Sequence, residues 1–259
     1  MNFGVQTFTV RKAQKKSIRR AYLPLIELGI KSFEVARIDF NEKNAAELCA
    51  LISQFGIQIS SIQVKPKYVF GCPDRIIEFC RRVGCNRVVI SMLPFGCILG
   101  KEEKFYRFVS SLDECAELYA QSGITLAYHH HNWEYIKLSC GKSRMQELLS
   151  QTEKIKFVHD TYWAVDCGID PALQIEQFGD RLLGIHLRDL SFQKRGIKVL
   201  HRNCAAGEGV VCFERVLAAA ERAGCEYYVI EQKTKDPYRE IEKSLRHLQN
   251  VKKELEIED

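Results

Sequence analysis

Ionisable residues stand where this sequence is otherwise most apolar. Tyr128-His129-His130-His131-Asn132-Trp133-Glu134 follows Leu126-Ala127, and His159-Asp160 follows Phe157-Val158. His186-Leu187-Arg188-Asp189 follows Leu182-Leu183, Glu231 follows Val229-Ile230, and Glu34 follows Phe33. Taken singly, each has an ordinary explanation. Asp160 can cap a following helix, His186 can be a core histidine with both nitrogens satisfied, and Glu231 can pair with a nearby lysine. Jointly these explanations fare worse, because burying an ionisable group at the inner end of several strands is unfavourable without a compensating partner. A mixed His, Asp and Glu set suits a divalent cation such as Mn2+, Co2+, Zn2+ or Mg2+. Asp160, His186 and Glu231 are therefore expected to share a metal.

The elements that must position them follow a regular alternation. Apolar runs rich in Val, Ile, Phe and Tyr predict strands at 3–7, 32–36, 58–63, 87–92, 125–131, 156–160, 182–187 and 227–232. Between them lie amphipathic stretches. Five of these end at Gly29, Gly56, Gly84, Gly123 and Gly224, where a left-handed residue closes a helix. Asp170-Pro171 and Asp236-Pro237 open two more, with a capping side chain ahead of a proline. Strict strand–helix alternation implies a parallel sheet. Eight such units over residues 1–259 predict an α/β protein, a (β/α)8 TIM barrel folded as one domain. Such a barrel carries its active site at the C-terminal ends of the strands, where the residues above lie. Neither GxGxxG nor GxxxxGK[ST] occurs, which leaves those routes to nucleotide binding unsupported.

The composition fits this reading. The chain has 259 residues, 46% of them hydrophobic and 27% charged, enough apolar material for a large core. A formal net charge of +5 suits an anionic or phosphorylated substrate but falls short of a nucleic-acid-binding surface. The eleven cysteines include no CxxC pair and fall largely in apolar runs, so they are expected to be free thiols in a reducing compartment. With no signal-peptide pattern and no apolar run of about 20 residues, the expected location is cytoplasmic, with no membrane association.

The ordered pieces Gly4-Val5-Gln6-Thr7-Phe8-Thr9-Val10-Arg11, Tyr128 to Tyr135, Asp160-Thr161-Tyr162-Trp163 and Cys167-Gly168-Ile169-Asp170-Pro171 make a resemblance. With His186-Leu187-Arg188-Asp189, Gly207-Glu208-Gly209 and Glu231-Gln232, the chain resembles the sugar phosphate isomerase/epimerase family. These are xylose-isomerase-like TIM barrels related to AP endonucleases. The resemblance implies a divalent metal held by Glu, Asp, His and Glu from strands five to eight. Asp160, His186 and Glu231 match the last three, and the strand-five Glu is missing. Residues two apart on a strand share a face, so His129 and His131 point inward together. His129 is the expected fourth ligand, with His131 facing substrate. The competing register turns Tyr128 and His130 inward and leaves water or Glu134, the rival ligand, to complete the shell.

In that family two glutamates exchange protons with a carbon beside a metal-polarised carbonyl. Here only Glu231 is retained, so the second group falls to His131, Glu134 or Glu34. Arg188, Trp163 and Glu34 are the expected substrate contacts, whereas Arg202, Lys233 and His201 read as solvated charge. The resulting expectation is a metal-dependent isomerase or epimerase of a sugar, sugar phosphate or polyol-derived ketone, possible as a homo-oligomer. The alternatives are an inosose- or dehydroshikimate-type dehydratase and a non-catalytic sugar-binding barrel; a DNA-repair endonuclease would want more metal ligands and a longer basic surface.

Overall fold

The computed structural model describes residues 1–196 and 198–258. Eight parallel strands close into the expected barrel: β1 (Phe3–Gln6), β2 (Ser32–Val35), β3 (Gln58–Val64), β4 (Arg87–Ile90), β5 (Thr125–His129), β6 (Lys156–Asp160), β7 (Leu182–Leu187) and, last in the chain, β10 (Tyr227–Ile230). Two further strands, β8 (Asp189–Arg195) and β9 (Lys198–Cys204), pair antiparallel as a separate hairpin. The barrel strands are buried on both faces, which is why they read as continuous apolar runs.

Apolar packing divides into two layers. The larger lies between sheet and helices; the smaller, Val89, Ala127, Val158, Leu183, Tyr227 and Val229, fills the barrel interior. Strand periodicity then dictates what stands above that interior plug. Two residues beyond Ala127, Val158 and Val229 come His129, Asp160 and Glu231, on the same inward face. His186 joins them through an irregularity. As β6 steps from Phe157 to Val158, its β7 partner steps from Leu182 to Gly184, so β7 carries one extra residue. A similar slip sets Glu34 on β2 opposite Ser61 on β3. Gly184 has no side chain because the ring of Tyr227 occupies the place where its Cβ would stand.

Several elements differ from expectation. β5 stops at His129, and Asn132–Tyr135 turns into a short 3-10 helix. The helix expected to end at Gly123 breaks at Ser111 into Glu102–Ser110 and Leu112–Ala120. A helix not expected, Arg144–Gln151, opens on a capping box between Ser143 and Gln146. The hairpin was not expected either, since its strands are polar and mostly exposed. Its base is held by Asp189. That buried carboxylate accepts backbone N–H groups from Leu190 at 2.8 Å, Gly207 and Gly209 at 2.9 Å, and Val211 at 3.0 Å. A side chain at Gly209 would collide with it.

The eleven cysteines are free, as expected. Among the described residues, no helix is long and apolar enough to cross a membrane.

Candidate metal centre

His129, Asp160, His186 and Glu231 come from four neighbouring strand ends, and one donor atom of each lies within 4.8 Å of the others. All four are buried. His129 Nε2 is 3.4 Å from Asp160 Oδ2. His186 Nδ1 is 2.8 Å from Glu231 Oε2 and 3.7 Å from Asp160 Oδ2.

Asp160 serves two ends at once. Its Oδ1 accepts the backbone N–H of Trp163 at 3.1 Å and caps the helix Thr161–Asp166, while Oδ2 faces the histidines. One carboxylate thus caps a helix and still presents an oxygen to the histidines.

His186 is fixed from behind. Glu34 Oε1 lies 2.6 Å from its Nε2, and Glu34 Oε2 accepts the hydroxyls of Ser61 at 2.5 Å and Tyr227 at 2.8 Å. With Nε2–H donated to Glu34, Nδ1 is the nitrogen turned to the centre and would offer its lone pair on giving up its proton in favour of a cation, the arrangement that orients ligating histidines in metal sites. Burial opposes ionisation of Glu34, but the facing His186 and these hydrogen bonds hold its carboxyl below the usual range. Glu34, expected at the substrate, thus lies against His186, Ser61 and Tyr227.

The donor set fits a divalent cation on the structure's own terms. Both ring nitrogens of His129 and the Nδ1 of His186 are buried without a hydrogen-bond partner, although carboxylate oxygens lie nearby. Unpartnered imidazole nitrogens gathered beside two carboxylates, one of which already accepts from Arg188, suit a positive charge at their focus. In the metal-free protein part of that charge comes from within. Burial would push the His186 imidazole down, but Glu34 and Asp160 hold it well above its ordinary value. Asp160 is held well below the carboxylate range against burial, chiefly by Arg188, and Glu231 is lowered by Arg188 and His186.

Arg188, the expected substrate contact, is turned toward the carboxylates of the centre. Its guanidinium is buried, donates to Asp160 Oδ2 at 2.9 Å, and lies 3.6 Å from Glu231. It also covers the rings of Tyr162 and Trp163, at 4.7 and 5.4 Å.

His131 stands beside the centre, edge-on to His129 with ring centroids 4.7 Å apart, and stacks on Trp133 at 5.0 Å. Trp163 lies 5.4 Å from it, so the three rings form an aromatic wall. Burial, with His129 adding to it, holds the His131 imidazole well below its ordinary value. The other parity points away: Tyr128 packs on Phe108 of the helix layer, and its hydroxyl donates to Glu134.

Glu134 is not among the converging donors. It is fully buried, and its Oε2 accepts the backbone N–H of His131 at 2.7 Å, closing the short helix that follows β5. Burial raises its pKa despite those hydrogen bonds. A local cap thus claims the carboxylate expected as a rival ligand or base.

Arg202, His201 and Lys233 are exposed, and His201 is tied to Asp166 at 2.6 Å. One polar residue was missed. Gln6, at the end of β1, is buried and reaches Gln63 at 3.2 Å and Glu231 at 3.4 Å. The signal that marks Asp160, a polar side chain closing an apolar strand, marks Gln6 too.

The family described as xylose isomerase-like TIM barrel matches residues 24–251. An inosose dehydratase from Geobacillus thermodenitrificans (strain NG80-2) is 24% identical over 150 residues, 52% of this chain and 49% of that protein. The chain thus aligns with about half the length of the curated relatives it matches. A sugar phosphate isomerase/epimerase structure from Parabacteroides distasonis superposes with a TM-score of 0.76 at 19% identity, covering 96% of this chain and 93% of that one. A probable 3-DHS dehydratase from Bacillus anthracis gives 0.69 at 12% identity, covering 96% and 99%. At these identities the structural likeness speaks for the fold.

Proposed function

Since the chain belongs to the xylose isomerase-like TIM barrel family, we propose that it is a metal-dependent enzyme that moves a proton beside the carbonyl of a sugar or polyol-derived ketone. The leading reading is an isomerase or epimerase. The observation that carries it is the convergence of His129, Asp160, His186 and Glu231, with imidazole nitrogens buried and unpartnered.

These four residues would hold the cation, one of Mn2+, Co2+, Zn2+ or Mg2+. When bound, such an ion supplies positive charge that polarises a carbonyl oxygen and acidifies the neighbouring C–H. The remaining work falls to side chains. Glu34 keeps His186 in the tautomer that presents Nδ1. Glu231, held ionised, and His131, held neutral, are the two groups suited to accept a proton at neutral pH. The wall of His131, Trp133 and Trp163 offers apolar faces to the C–H side of a sugar ring and sheds water from the carbon being deprotonated.

A second reading, a dehydratase, is favoured by one feature. Neither Glu34 nor Glu134 is free, so the proton-moving pair is a carboxylate and an imidazole instead of two carboxylates. An imidazole that takes a proton from one carbon can return it to a hydroxyl leaving the next, and the local similarity to inosose dehydratases runs the same way.

The test is to incubate Mn2+-loaded protein in heavy water with a panel of ketoses and inososes. Deuterium at the carbon beside the carbonyl with retention of water is the expected result, and loss of water selects the dehydratase. No exchange and no turnover with any member, from a protein of verified metal content, would favour the sugar-binding barrel.

A further inference from the structure

Behind β5 and β6, on the side away from the metal centre, two histidines have no part in the chemistry above. His130 and His159 are both fully buried. His130 Nε2 accepts the backbone N–H of Asp160 at 3.1 Å and lies 3.0 Å from His159 Nδ1. The ladder between β5 and β6 has its last rung at His129 and Val158. Two residues beyond Val158, the Asp160 amide goes to this imidazole in place of a strand carbonyl.

We propose that His130 is a positioning residue for the metal centre: its ring ties the backbone of Asp160 to β5 and so sets the separation between the His129 and Asp160 donors. The inference rests on the metal reading given above.

Three observations converge on it. Asp160 needs a fixed backbone, because its carboxylate simultaneously caps a helix, meets Arg188 and faces two histidines. His130 is placed so that its neighbour in sequence, His129, is the opposing donor, so a single residue step links the tie to the ligand. The tie also has a defined tautomer. Since Nε2 accepts, the proton of His130 sits on Nδ1, which faces the His131 carbonyl at 3.4 Å and the Tyr135 hydroxyl at 3.5 Å. His159 must then donate from Nδ1, which leaves its Nε2 without a partner beside Phe178. A buried polar atom left unsatisfied is unfavourable, and a phenylalanine at 159 would serve packing alone as well. The histidine makes sense as the donor that fixes the orientation of the His130 ring beside the Asp160 amide.

The experiment titrates metal-free protein with Mn2+, following the free ion by EPR; manganese is chosen because the eleven thiols compete for softer ions. His130→Met removes the acceptor, and His130→Gln restores an amide oxygen near the Nε2 position. Expected is Mn2+ binding about tenfold to a hundredfold weaker in His130→Met, with His130→Gln close to wild type and the metal-free melting temperatures of the two variants similar. Wild-type protein that takes up no Mn2+ overturns the metal reading and this one with it. Wild type that binds, with a His130→Met variant that binds equally well, overturns the positioning role alone, whether or not its melting temperature falls. Should His130→Met not fold, nitrogen NMR of the wild-type histidines still decides: a proton on Nδ1 of His130 supports the tie, and a proton on Nε2 overturns it.

Discussion

Glu34 and His186 are joined by a hydrogen bond of 2.6 Å across 152 residues of sequence. Neither has any measurable exposure. The pair therefore acts as one unit: the carboxylate determines which imidazole nitrogen carries the proton, and hence which one is open toward Asp160 and Glu231.

Replacing Glu34 with glutamine tests that unit. The amide keeps the shape but removes the negative charge behind His186 and turns a donor toward Ser61 or Tyr227. Mn2+ affinity is expected to fall by about tenfold to a hundredfold, read by titration of the metal-free protein. An unchanged affinity would mean that His186 does not hold the ion through Nδ1.

The inward parity of β5 makes His129 and His131 separable. His129→Ala is expected to weaken Mn2+ binding by about a hundredfold. His131→Ala should retain the ion and lose turnover by a factor of about 10²–10⁴, measured on whichever substrate shows deuterium exchange. Glu134→Ala should retain the ion as well. Full occupancy in His129→Ala, with metal lost from Glu134→Ala, would reverse the assignment.

Glu134 also carries a pH signature. Burial raises its pKa in the folded protein. A carboxyl of that kind keeps its proton longer when folded, so its contribution to stability is full at low pH. It declines as pH rises from about 4.3 through the folded value. A neutral glutamine escapes this decline. The destabilisation caused by Glu134→Gln, from urea unfolding of metal-free protein, should therefore be larger near about pH 4 and smaller near about pH 7. A cost that grows with pH would show a carboxylate stabilised in its ionised form.

Asp189 is expected to hold the base of the hairpin. Asp189→Ala leaves four backbone N–H groups without their acceptor. A loss of roughly 3 kcal/mol is expected, together with faster hydrogen exchange at Gly207, Gly209 and Val211. Unchanged protection at those amides would place the closure of this loop in other contacts.

The barrel was legible because its signals are local and repeated: apolar runs of strand length, a glycine after each of five helices, and a proline one step inside two others. Gly56 and Gly84, at φ of 62° and 66°, close their helices in the left-handed region as that pattern demands. The strand ends around the centre were legible for a different reason. An acid or a histidine following Phe157-Val158 or Val229-Ile230 must be buried, whatever it does. Whether such a group faces the centre or a cap depends on contacts that parity alone does not supply. Glu134 is the carboxylate nearest the missing strand-five glutamate, yet a backbone amide three residues away holds it. Glu34 was read as open, yet the slip between β2 and β3 turns Ser61 toward it and the slip in β7 turns His186 toward it. Bulges of this kind leave no mark in the amino-acid pattern. The hairpin escaped because Gln193, Lys194 and Arg195 are as polar as any loop.

Gly184 carries no donor, no charge and no side chain, and a search for chemistry passes over it. The ring of Tyr227 lies where any larger residue would begin, and that ring delivers the hydroxyl that Glu34 accepts. An alanine at 184 would therefore act at a distance, lifting Tyr227, loosening Glu34 and freeing His186 to turn, without touching a single candidate ligand. The reach of the centre into the chain is wider than its donors, and it includes a position defined by an absent atom.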